Sequence, residues 1–202
     1  MDRIVLASSN KGKLKEFGEI FNKLDLKLIG QSEFNVTDAD ETGLTFVENA
    51  IIKARHACAV TGLPALADDS GLEVDALLGA PGIYSSRYSG AGDTANNTKL
   101  LADLSAYSAE LRSARYRCVL VFMRHANDPT PLICQGTLEG RILLSARGDS
   151  GFGYDPIFQV APHLVNNQDL SAAQLSPAQK HQISHRGQAV AQFVQQITDY
   201  IN

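Results

Sequence analysis

Near the start of the chain lies the stretch Ile4-Val5-Leu6-Ala7-Ser8-Ser9-Asn10-Lys11-Gly12-Lys13. Its first four residues are apolar and the next six contain no large apolar side chain, a pattern typical of a short buried strand followed by a loop. Apolar residues then recur at spacings of three and four, the period of one helix face: Leu14, Phe17, Ile20, Phe21 and Leu24. The stretch therefore predicts strand, loop and helix in succession, the repeating unit of α/β proteins.

A second strand is predicted over Leu26 to Ile29, and a second helix after the polar stretch from Gly30 to Gly43. Thr45-x-x-Glu48 fits a capping box, in which both side chains bind free amides at a helix start. The predicted buried stripe behind the cap is Val47, Ala50, Ile51, Ala54 and Ala57. The opposite face of this helix is predicted to carry Asn49, Lys53 and His56.

Further along the chain, apolar runs alternate with turn residues. The strands predicted from them are Leu66 to Asp69, Tyr116 to Met123 and an antiparallel partner beginning near Leu132, with a long loop over Gly79 to Gly92 and a helix around Asn97 to Leu104. The final third is predicted to be helical, with Ser176-Pro177-Ala178-Gln179 as a start signal and an apolar stripe of Val190, Phe193, Val194, Ile197 and Ile201. Because no repeat or linker interrupts this order, we expect residues 1–202 to form one α/β unit in two lobes.

Composition excludes several classes of function. The net charge of −4 comes without any block of like charges, which disfavours a nonspecific nucleic-acid binder. The longest apolar run, Cys118 to Met123, is far shorter than a membrane span. The first residues do not resemble a signal peptide, so we expect a cytoplasmic protein that binds no membrane. The three cysteines lack Cys-x-x-Cys spacing and are expected to be reduced and packed in the core.

The loop from Ser8 to Lys13 is a candidate anion site. It lies between a predicted strand and a predicted helix, where free backbone amides and the helix dipole favour a phosphate. Hydroxyls, an amide and two lysines add further donors. The Walker pattern is absent, so this loop is not a P-loop by sequence. An ordinary solvated helix start with a serine cap remains the alternative interpretation.

Adjacent carboxylates at Asp68 and Asp69 follow an apolar run and indicate a magnesium site, because Mg²⁺ prefers hard oxygen ligands and relieves their repulsion. Consecutive strand residues point to opposite faces, so the two should have different roles if the strand continues through both. The acidic loop could add a second anchor from Asp38, Asp40 or Glu41, and a solvated turn is the alternative there.

The stretch Phe152-Gly153-Tyr154-Asp155-Pro156 combines aromatic rings, a carboxylate and glycine in a predicted loop. This composition suits the binding of a flat base or sugar, although such aromatic residues also plug cores. Lys180, His185 and Arg186 lie farther along, where composition alone favours ordinary surface charge.

Together these motifs resemble the inosine triphosphate pyrophosphatase family, also called Ham1-like. The resemblance covers nearly the whole chain. It rests on Ser8-x-Asn10-x-x-Lys13, Glu41-Thr42-Gly43-Leu44-Thr45-Phe46-Val47-Glu48-Asn49-Ala50, Lys53-Ala54-Arg55, Ala67-Asp68-Asp69-Ser70-Gly71-Leu72, Gly79-Ala80-Pro81-Gly82-Ile83-Tyr84-Ser85, Phe152-Gly153-Tyr154-Asp155-Pro156 and Ser184-His185-Arg186. Each motif is weak alone, and seven in this order are specific.

The resemblance implies an elongated mixed β-sheet with flanking helices, two lobes around a deep nucleotide-binding cleft, and a homodimer. The implied reaction is the magnesium-assisted hydrolysis of non-canonical purine nucleoside triphosphates, such as those of hypoxanthine and xanthine, to monophosphate and pyrophosphate. It would remove these nucleotides from the pool that polymerases use.

The resemblance also implies roles for individual residues. The triphosphate would be held by Lys53 and by the first loop, comprising Ser8, Ser9, Asn10, Lys11, Gly12 and Lys13. Asp69 would bind the metal and accept the proton of water, Asp68 would support it, and Asp40 or Glu41 would complete the metal site. The nucleoside would contact Ser70, Phe152, Gly153, Tyr154, Asp155, Lys180, His185 and Arg186.

One departure and two alternatives accompany this interpretation. Ser9 stands where many relatives have glycine, and a residue with a side chain resists positive φ. Asp68 or Asp69 could instead attack phosphorus as a covalent nucleophile. The same site could also belong to a nucleotide sensor without catalysis.

Overall fold

The computed structural model describes residues 3–9, 13–14, 17–18, 21 and 26–201, without the side chains of residues 198, 199 and 201. Over these residues the strands are β1 (Arg3–Leu6), β2 (Lys27–Gly30), β3 (Ala65–Val74), β4 (Pro81–Gly82), β5 (Ser113–Met123), β6 (Leu132–Ile142) and β7 (Phe158–Val160). The α-helices with described bounds are α1 (Phe46–Thr61), α2 (Asp93–Asp103), α3 (Pro177–Ile183) and α4 (His185–Ile201). This element content confirms the predicted mixed α/β class.

The strands belong to one sheet in the order β2-β1-β3-β5-β6-β7, with β4 paired to β3. The chain divides into two compact units. The first contains Met1–Asp69, Val119–Gln135 and Ala189–Asn202, and the second contains Ser70–Cys118 and Gly136–Gln188. The peptide bond between Asp69 and Ser70, inside β3, is therefore one of the points where the chain passes from one unit to the other.

Unit 1 has a parallel arrangement, in which β1 pairs with β2 and with β3. Parallel strands are usually buried on both faces, and Ile4, Val5 and Leu6 are fully buried here. Phe21 stacks on Phe193 of α4 with ring centres 5.4 Å apart. The predicted first helix is confirmed where it is described, at Lys13, Leu14, Phe17, Gly18 and Phe21. Ile20 and Leu24 of its predicted stripe lie outside the described residues.

Unit 2 is antiparallel where its pairing is described, with β3 against β4 and β6 against β7. Its core contains Leu72 and Val74 of β3, Leu100 and Leu104 from α2 and its C-terminal cap, and Phe158 of β7. β6 and β7 lie in the second half of the chain and confirm antiparallel pairing there, and the two strands predicted as partners, β5 and β6, are neighbours in the sheet.

Helix starts follow the predicted caps. Thr45 Oγ1 accepts a hydrogen bond from the Glu48 N–H at 3.3 Å, and the Glu48 carboxylate accepts from the Leu44 N–H at 2.8 Å and from the Thr45 hydroxyl at 2.9 Å. At α3, Ser176 and Gln179 form a complete capping box. Sequence chemistry therefore located both starts to the residue.

Other boundaries differ from the predictions. β3 continues for five residues past Asp69, so the two carboxylates do not end the strand. α2 begins at Asp93, four residues before the predicted start. The final third is not helical throughout, because it contains β7, a three-residue strand too short to show a sequence period.

Burial corrects the predicted helix faces in detail. In α1, Ala50, Ala54 and Ala57 are buried as expected, but Asn49 is also buried and does not lie on an exposed face. In α4, Val190, Phe193 and Ile197 are buried, Val194 is partly buried, and the side chain of Ile201 lies outside the described residues. The Asn49 Oδ1 accepts a hydrogen bond from the Gly43 N–H at 2.9 Å, whereas its buried Nδ2 has no hydrogen-bond partner among the described residues.

The three cysteines are free and buried, as predicted: Cys58, Cys118 and Cys134. Burial raises the pKa of the Cys58 and Cys134 thiols to about 11. Among the described residues, none of the helices is long and apolar enough to cross a membrane.

The turn between β5 and β6 depends on Asp128. Its buried carboxylate accepts bonds from the Arg124 side chain at 2.7 and 2.9 Å, from the Arg124 N–H at 3.0 Å and from the Thr130 N–H at 3.1 Å. These bonds, the Arg124 side chain first, hold the pKa of Asp128 well below its usual range.

We expect Asp128→Asn to lower the free energy of unfolding by about 1 to 3 kcal/mol at neutral pH, because buried donors lose a charged acceptor. A depressed carboxylate pKa stabilises the fold above the ordinary Asp pKa, and this contribution is lost as pH falls through the folded-state value. Urea unfolding at neutral and acid pH should therefore show that the difference in stability between wild type and Asp128→Asn becomes smaller as the pH falls. Asp169→Asn, which breaks an exposed pair with Arg147, is the control and should change little. Equal effects of both variants would contradict this role.

Candidate functional site

The adjacent carboxylates of β3 have different lysine partners. Asp68 is 2% exposed, and both of its oxygens accept bonds from Lys13 Nζ at 2.8 Å. Lys13 lies in the helical segment after the first loop. This pair explains how a charged Asp can occupy the interior of a strand, since a buried charge requires a close counter-charge.

Asp69 pairs instead with Lys53 of α1. Lys53 Nζ donates to Asp69 Oδ1 at 3.0 Å and to Glu41 Oε1 at 2.9 Å, so one ammonium joins β3 to the acidic loop. Burial raises the pKa of Asp69 above its ordinary value, although Lys53 opposes that shift. Burial alone would lower the pKa of Lys53, but the carboxylates around it outweigh burial and raise it.

Asp69 Oδ2 is buried and has no hydrogen-bond partner. A buried carboxylate oxygen normally accepts a bond, and because it has two lone pairs, this atom has capacity for a metal ion and for a proton. A hard cation suits it, because carboxylate oxygens are the ligands that Mg²⁺ prefers. Among the described residues, no three His, Cys, Asp or Glu side chains converge as a closed protein cage. Magnesium commonly keeps waters and binds substrate phosphates besides one or two carboxylates, so the donor set fits it.

The three acidic-loop candidates have different surroundings. Glu41 shares Lys53 with Asp69. Asp38 is bound by the Ser9 hydroxyl at 2.8 Å and by the amide of Gln31. Asp40 is exposed. Of the three, Glu41 is the one that the structure connects to Asp69.

The position of Glu41 follows from the close packing of the residues after it. The Gly43 N–H donates to Asn49 Oδ1 at 2.9 Å, and a Cβ at Gly43 would lie 2.6 Å from the Glu48 Cβ. Position 43 therefore has no room for a side chain. Asn49 and Lys53 are one helical turn apart and lie on the same side of α1, so Asn49 holds the loop backbone while Lys53 holds its carboxylate.

The first loop is described only in part. Ser8 is half-buried and Ser9 is exposed, with the Ser9 hydroxyl donating to Asp38 and accepting from Gln31 at 3.1 Å. Asn10, Lys11 and Gly12 lie outside the described residues. Their proposed contacts with phosphate stay predictions.

In unit 2, the buried Asp155 organises the glycine-rich loop. Its Oδ2 accepts from the Phe152 N–H at 2.9 Å and forms an ion pair with Lys180 Nζ. The same ammonium lies 4.6 Å from the centre of the Phe152 ring, in cation–π range. Phe152 is 66% exposed. The loop therefore presents an aromatic ring and a lysine together.

The neighbours of Phe152 have other surroundings. Tyr154 is buried in the core of unit 2, and its hydroxyl donates to the Ser85 carbonyl at 2.8 Å. Gly153 is bound through its N–H and its carbonyl by Asp93 and Asn97 of α2. The Tyr154 side chain therefore supports the loop from inside.

His185 and Arg186 begin α4. The His185 ring stacks on Tyr116 with centres 4.9 Å apart, and Arg186 Nη2 lies 3.5 Å from Ser70 Oγ. Tyr116 also lies 3.4 Å from the Asp155 carboxylate through its hydroxyl. In unit 2, Tyr116 thus contacts both His185 and Asp155, and Asp155 pairs with Lys180, while Arg186 lies beside Ser70.

Sequence reasoning did not single out Tyr116, Asp93, Asn97 or Asn49. The sequence predicts a strand at Tyr116 and a helix at Asn97 and indicates no functional role for either residue. Only the motif ending Glu48-Asn49-Ala50 carried a signal, and it gave no function to the asparagine. Contacts between residues about 40 to 60 positions apart, such as Asn97 with Gly153, leave no local pattern to detect.

The chain thus combines a mixed α/β fold with two lysine-paired carboxylates on β3 and a loop that carries an exposed aromatic ring beside a lysine. The family model that matches this chain is the Ham1 family, over residues 4–196. The chain belongs to the Ham1 family, and the resemblance found in its motifs is confirmed.

Its relatives match over almost their full lengths. A protein of Vibrio parahaemolyticus named dITP/XTP pyrophosphatase is 54% identical, with 98% of each chain covered. The solved structure of a HAM1 protein from Coxiella burnetii is 52% identical and superposes with a TM-score of 0.92, covering 98% of this chain and 100% of that one. The Staphylococcus aureus Ham1 protein is 42% identical with a TM-score of 0.88, at 98% and 100% coverage.

We expect Lys13→Met to lower the free energy of unfolding by about 2 to 4 kcal/mol, because the buried charge of Asp68 loses its lysine. This loss of stability is smaller than the largest losses expected for a buried ion pair, because the Lys13 side chain is 23% exposed. Adding Asp68→Asn to Lys13→Met should recover at least half of the lost stability, since position 68 then carries no buried charge without a counter-charge. Urea unfolding of the single and double variants measures this. A double variant no more stable than Lys13→Met would show that the pair is not coupled.

Proposed function

We propose that this protein hydrolyses non-canonical purine nucleoside triphosphates, such as the triphosphates of inosine, deoxyinosine and xanthosine, to the monophosphate and pyrophosphate. The names of its relatives support this substrate class. The family it belongs to supports the reaction type. In a cell, such an enzyme removes these nucleotides before polymerases can use them.

The observation that carries the proposal is the unbonded oxygen of Asp69. Its other oxygen is held by Lys53, so the carboxylate is oriented while Oδ2 has no partner. A general base must be fixed and must keep an oxygen available for the proton that it abstracts. Asp69 meets both requirements, whereas each oxygen of Asp68 already accepts a bond from Lys13.

We place magnesium at Asp69 and Glu41. Both carboxylates face the same lysine ammonium, and both supply hard oxygen donors. An ion held by these two carboxylates would offset the charge of the triphosphate oxygens and make the phosphorus more electrophilic. Asp40 is the alternative second ligand, and its exposure makes it the weaker candidate.

The remaining steps belong to side chains of unit 1. Lys13, Lys53 and the hydroxyls of the first loop bind the triphosphate and offset its negative charge. Asp69 accepts a proton from water as the water oxygen bonds to the α-phosphorus. The bond between the α-phosphorus and the bridging oxygen breaks, and pyrophosphate leaves with that oxygen. Water thus supplies the oxygen gained by the monophosphate.

Recognition of the base is assigned to unit 2. Phe152 offers an exposed ring on which any base can stack. Lys180, His185 and Arg186 supply donors suited to the 6-carbonyl of hypoxanthine or xanthine, and the amino group of adenine would leave such a donor unpaired. Ser70 and Gly153 complete the proposed nucleoside contacts, with Tyr154 and Asp155 supporting them from within the unit.

The assembly and location of the protein are also proposals. We propose a homodimer, supported by the resemblance to the family, and a cytoplasmic location, supported by the three free, buried cysteines. The organisation of both units as a single domain stays a prediction from the sequence. Light scattering of the purified chain tests the dimer.

Pyrophosphate release from inosine triphosphate in the presence of magnesium tests the function. We expect the wild type to release it and Asp69→Asn, which keeps the side-chain volume, to lose at least about a hundredfold in kcat. Thermal unfolding of the variant should show that it remains folded. A wild type that binds the nucleotide without releasing pyrophosphate would instead indicate a sensor, and near-normal turnover of Asp69→Asn would remove Asp69 from the mechanism.

The second metal ligand is tested by comparing Glu41→Gln with Asp40→Asn. We expect Glu41→Gln to raise the magnesium concentration for half-maximal rate about tenfold or more, since a charged ligand is lost. Asp40→Asn should have a smaller effect, and calorimetry of magnesium binding to each variant gives a readout apart from activity. The opposite ranking would assign the metal to Asp40.

A further inference from the structure

Two side chains of α2 hold Gly153 from both directions. Asp93 Oδ2 accepts a hydrogen bond from the Gly153 N–H at 2.8 Å, and Asn97 Nδ2 donates one to the Gly153 carbonyl at 3.0 Å. Asp93 and Asn97 are four residues apart and therefore neighbours on one helix face. We call these two residues the glycine clamp.

Gly153 needs such contacts more than its neighbours do. Its φ of +61° lies in the left-handed region, and a Cβ built on it would find no heavy atom within 4 Å. Packing therefore does not fix this residue, and glycine is the most permissive residue of the backbone. The N–H belongs to the peptide plane before Gly153 and the carbonyl to the plane after it. Bonding both fixes both backbone dihedrals.

The helix that carries the clamp is itself fixed. Asn96 is buried, accepts from the Ser89 N–H at 2.7 Å and donates to the Ser85 carbonyl at 3.3 Å. Leu100, one turn later, is fully buried in the core of unit 2. Asn96 thus fixes α2 to the residues before it, and the next residue, Asn97, binds Gly153. The helix therefore holds the Gly153 loop in a fixed position.

What the clamp positions is Phe152. The Phe152 N–H is bound by Asp155, and the next residue is held by the clamp. The direction in which the ring leaves the backbone is therefore set on both sides, although the ring itself is mostly exposed. The Lys180 ammonium over the same ring shares this arrangement.

We propose that Asp93 and Asn97 are positioning residues that set how tightly, and how selectively, the purine base is bound, without touching the substrate. This inference rests on the proposed function, because it takes Phe152 and Lys180 as the residues that meet the base. The glycine clamp holds the Gly153 backbone in one conformation before the base binds. Without the clamp, the conformational entropy of Gly153 would be lost on binding, and the affinity for the base would fall.

The experiment compares two variants that each remove one hydrogen bond of the glycine clamp with a third that keeps it. Asn97→Asp replaces the donor by an oxygen facing the Gly153 carbonyl, Asp93→Ala removes the acceptor, and Asp93→Asn keeps an oxygen acceptor. We expect Asn97→Asp and Asp93→Ala each to raise KM for inosine triphosphate about tenfold, with kcat within about threefold. The preference for inosine over adenosine triphosphate should fall in both, and Asp93→Asn should restore most of what Asp93→Ala loses.

Two controls separate positioning from general damage. Inhibition by inorganic tripolyphosphate, which has no base, should stay within about twofold of wild type in every variant if only base binding is affected. Thr98→Ala, on the exposed side of the same helix, should behave as wild type. Unchanged KM and preference in both Asn97→Asp and Asp93→Ala would overturn the proposal. An equal loss of tripolyphosphate inhibition would do the same, because it indicates a general structural role.

Hydrogen exchange of the Gly153 amide, followed by NMR, tests the clamp independently of catalysis. The amide should exchange at least about tenfold faster in Asp93→Ala than in wild type, because its acceptor is gone. If the wild type hydrolyses no purine triphosphate, the proposed function fails while faster exchange still supports the clamp. Unchanged exchange would overturn the clamp even in an active enzyme.

Discussion

Two neighbouring carboxylates inside a strand repel each other and lose hydration, and this constraint shapes unit 1. Asp68 and Asp69 can remain ionised in β3 only with a cation close to each, and successive strand residues face opposite ways. One cation comes from the helical segment after the first loop and the other from α1. The placement of both helical segments against β3 therefore serves charge neutralisation as well as apolar packing.

The two neutralised carboxylates are not equivalent. Both oxygens of Asp68 accept a bond from Lys13, whereas Asp69 shares Lys53 with Glu41 and keeps a buried oxygen without a hydrogen-bond partner. The first arrangement stabilises the strand, and the second leaves unused binding capacity in a dehydrated place, where electrostatic interactions are strong. Unit 2 also combines a supporting carboxylate with residues free to meet a ligand. The buried Asp155 binds the Phe152 N–H, and the Lys180 ammonium lies over the exposed Phe152 ring.

The sequence predicts the elements with strong local chemistry and misses those that depend on distant partners. The caps at Thr45 and Ser176 could be located because a capping box is contained within four residues. The end of β3 could not, because two acidic residues resemble a turn until Lys13 and Lys53 are known to be near. The seven motifs located the candidate residues, but the choice of Glu41 over Asp40 required the shared lysine. Asp93 and Asn97 act on a residue more than 50 positions away.

The buried thiols give the molecule an internal reporter of its own opening. With pKa values of about 11, the Cys58 and Cys134 side chains are almost wholly protonated at neutral pH, and only the thiolate attacks alkylating or oxidising reagents. Both lie in unit 1, so their modification measures how often that unit exposes its interior. A slow, uniform rate of labelling would mean that reagents reach these two thiols only when unit 1 opens, so that the rate reports the opening of this unit.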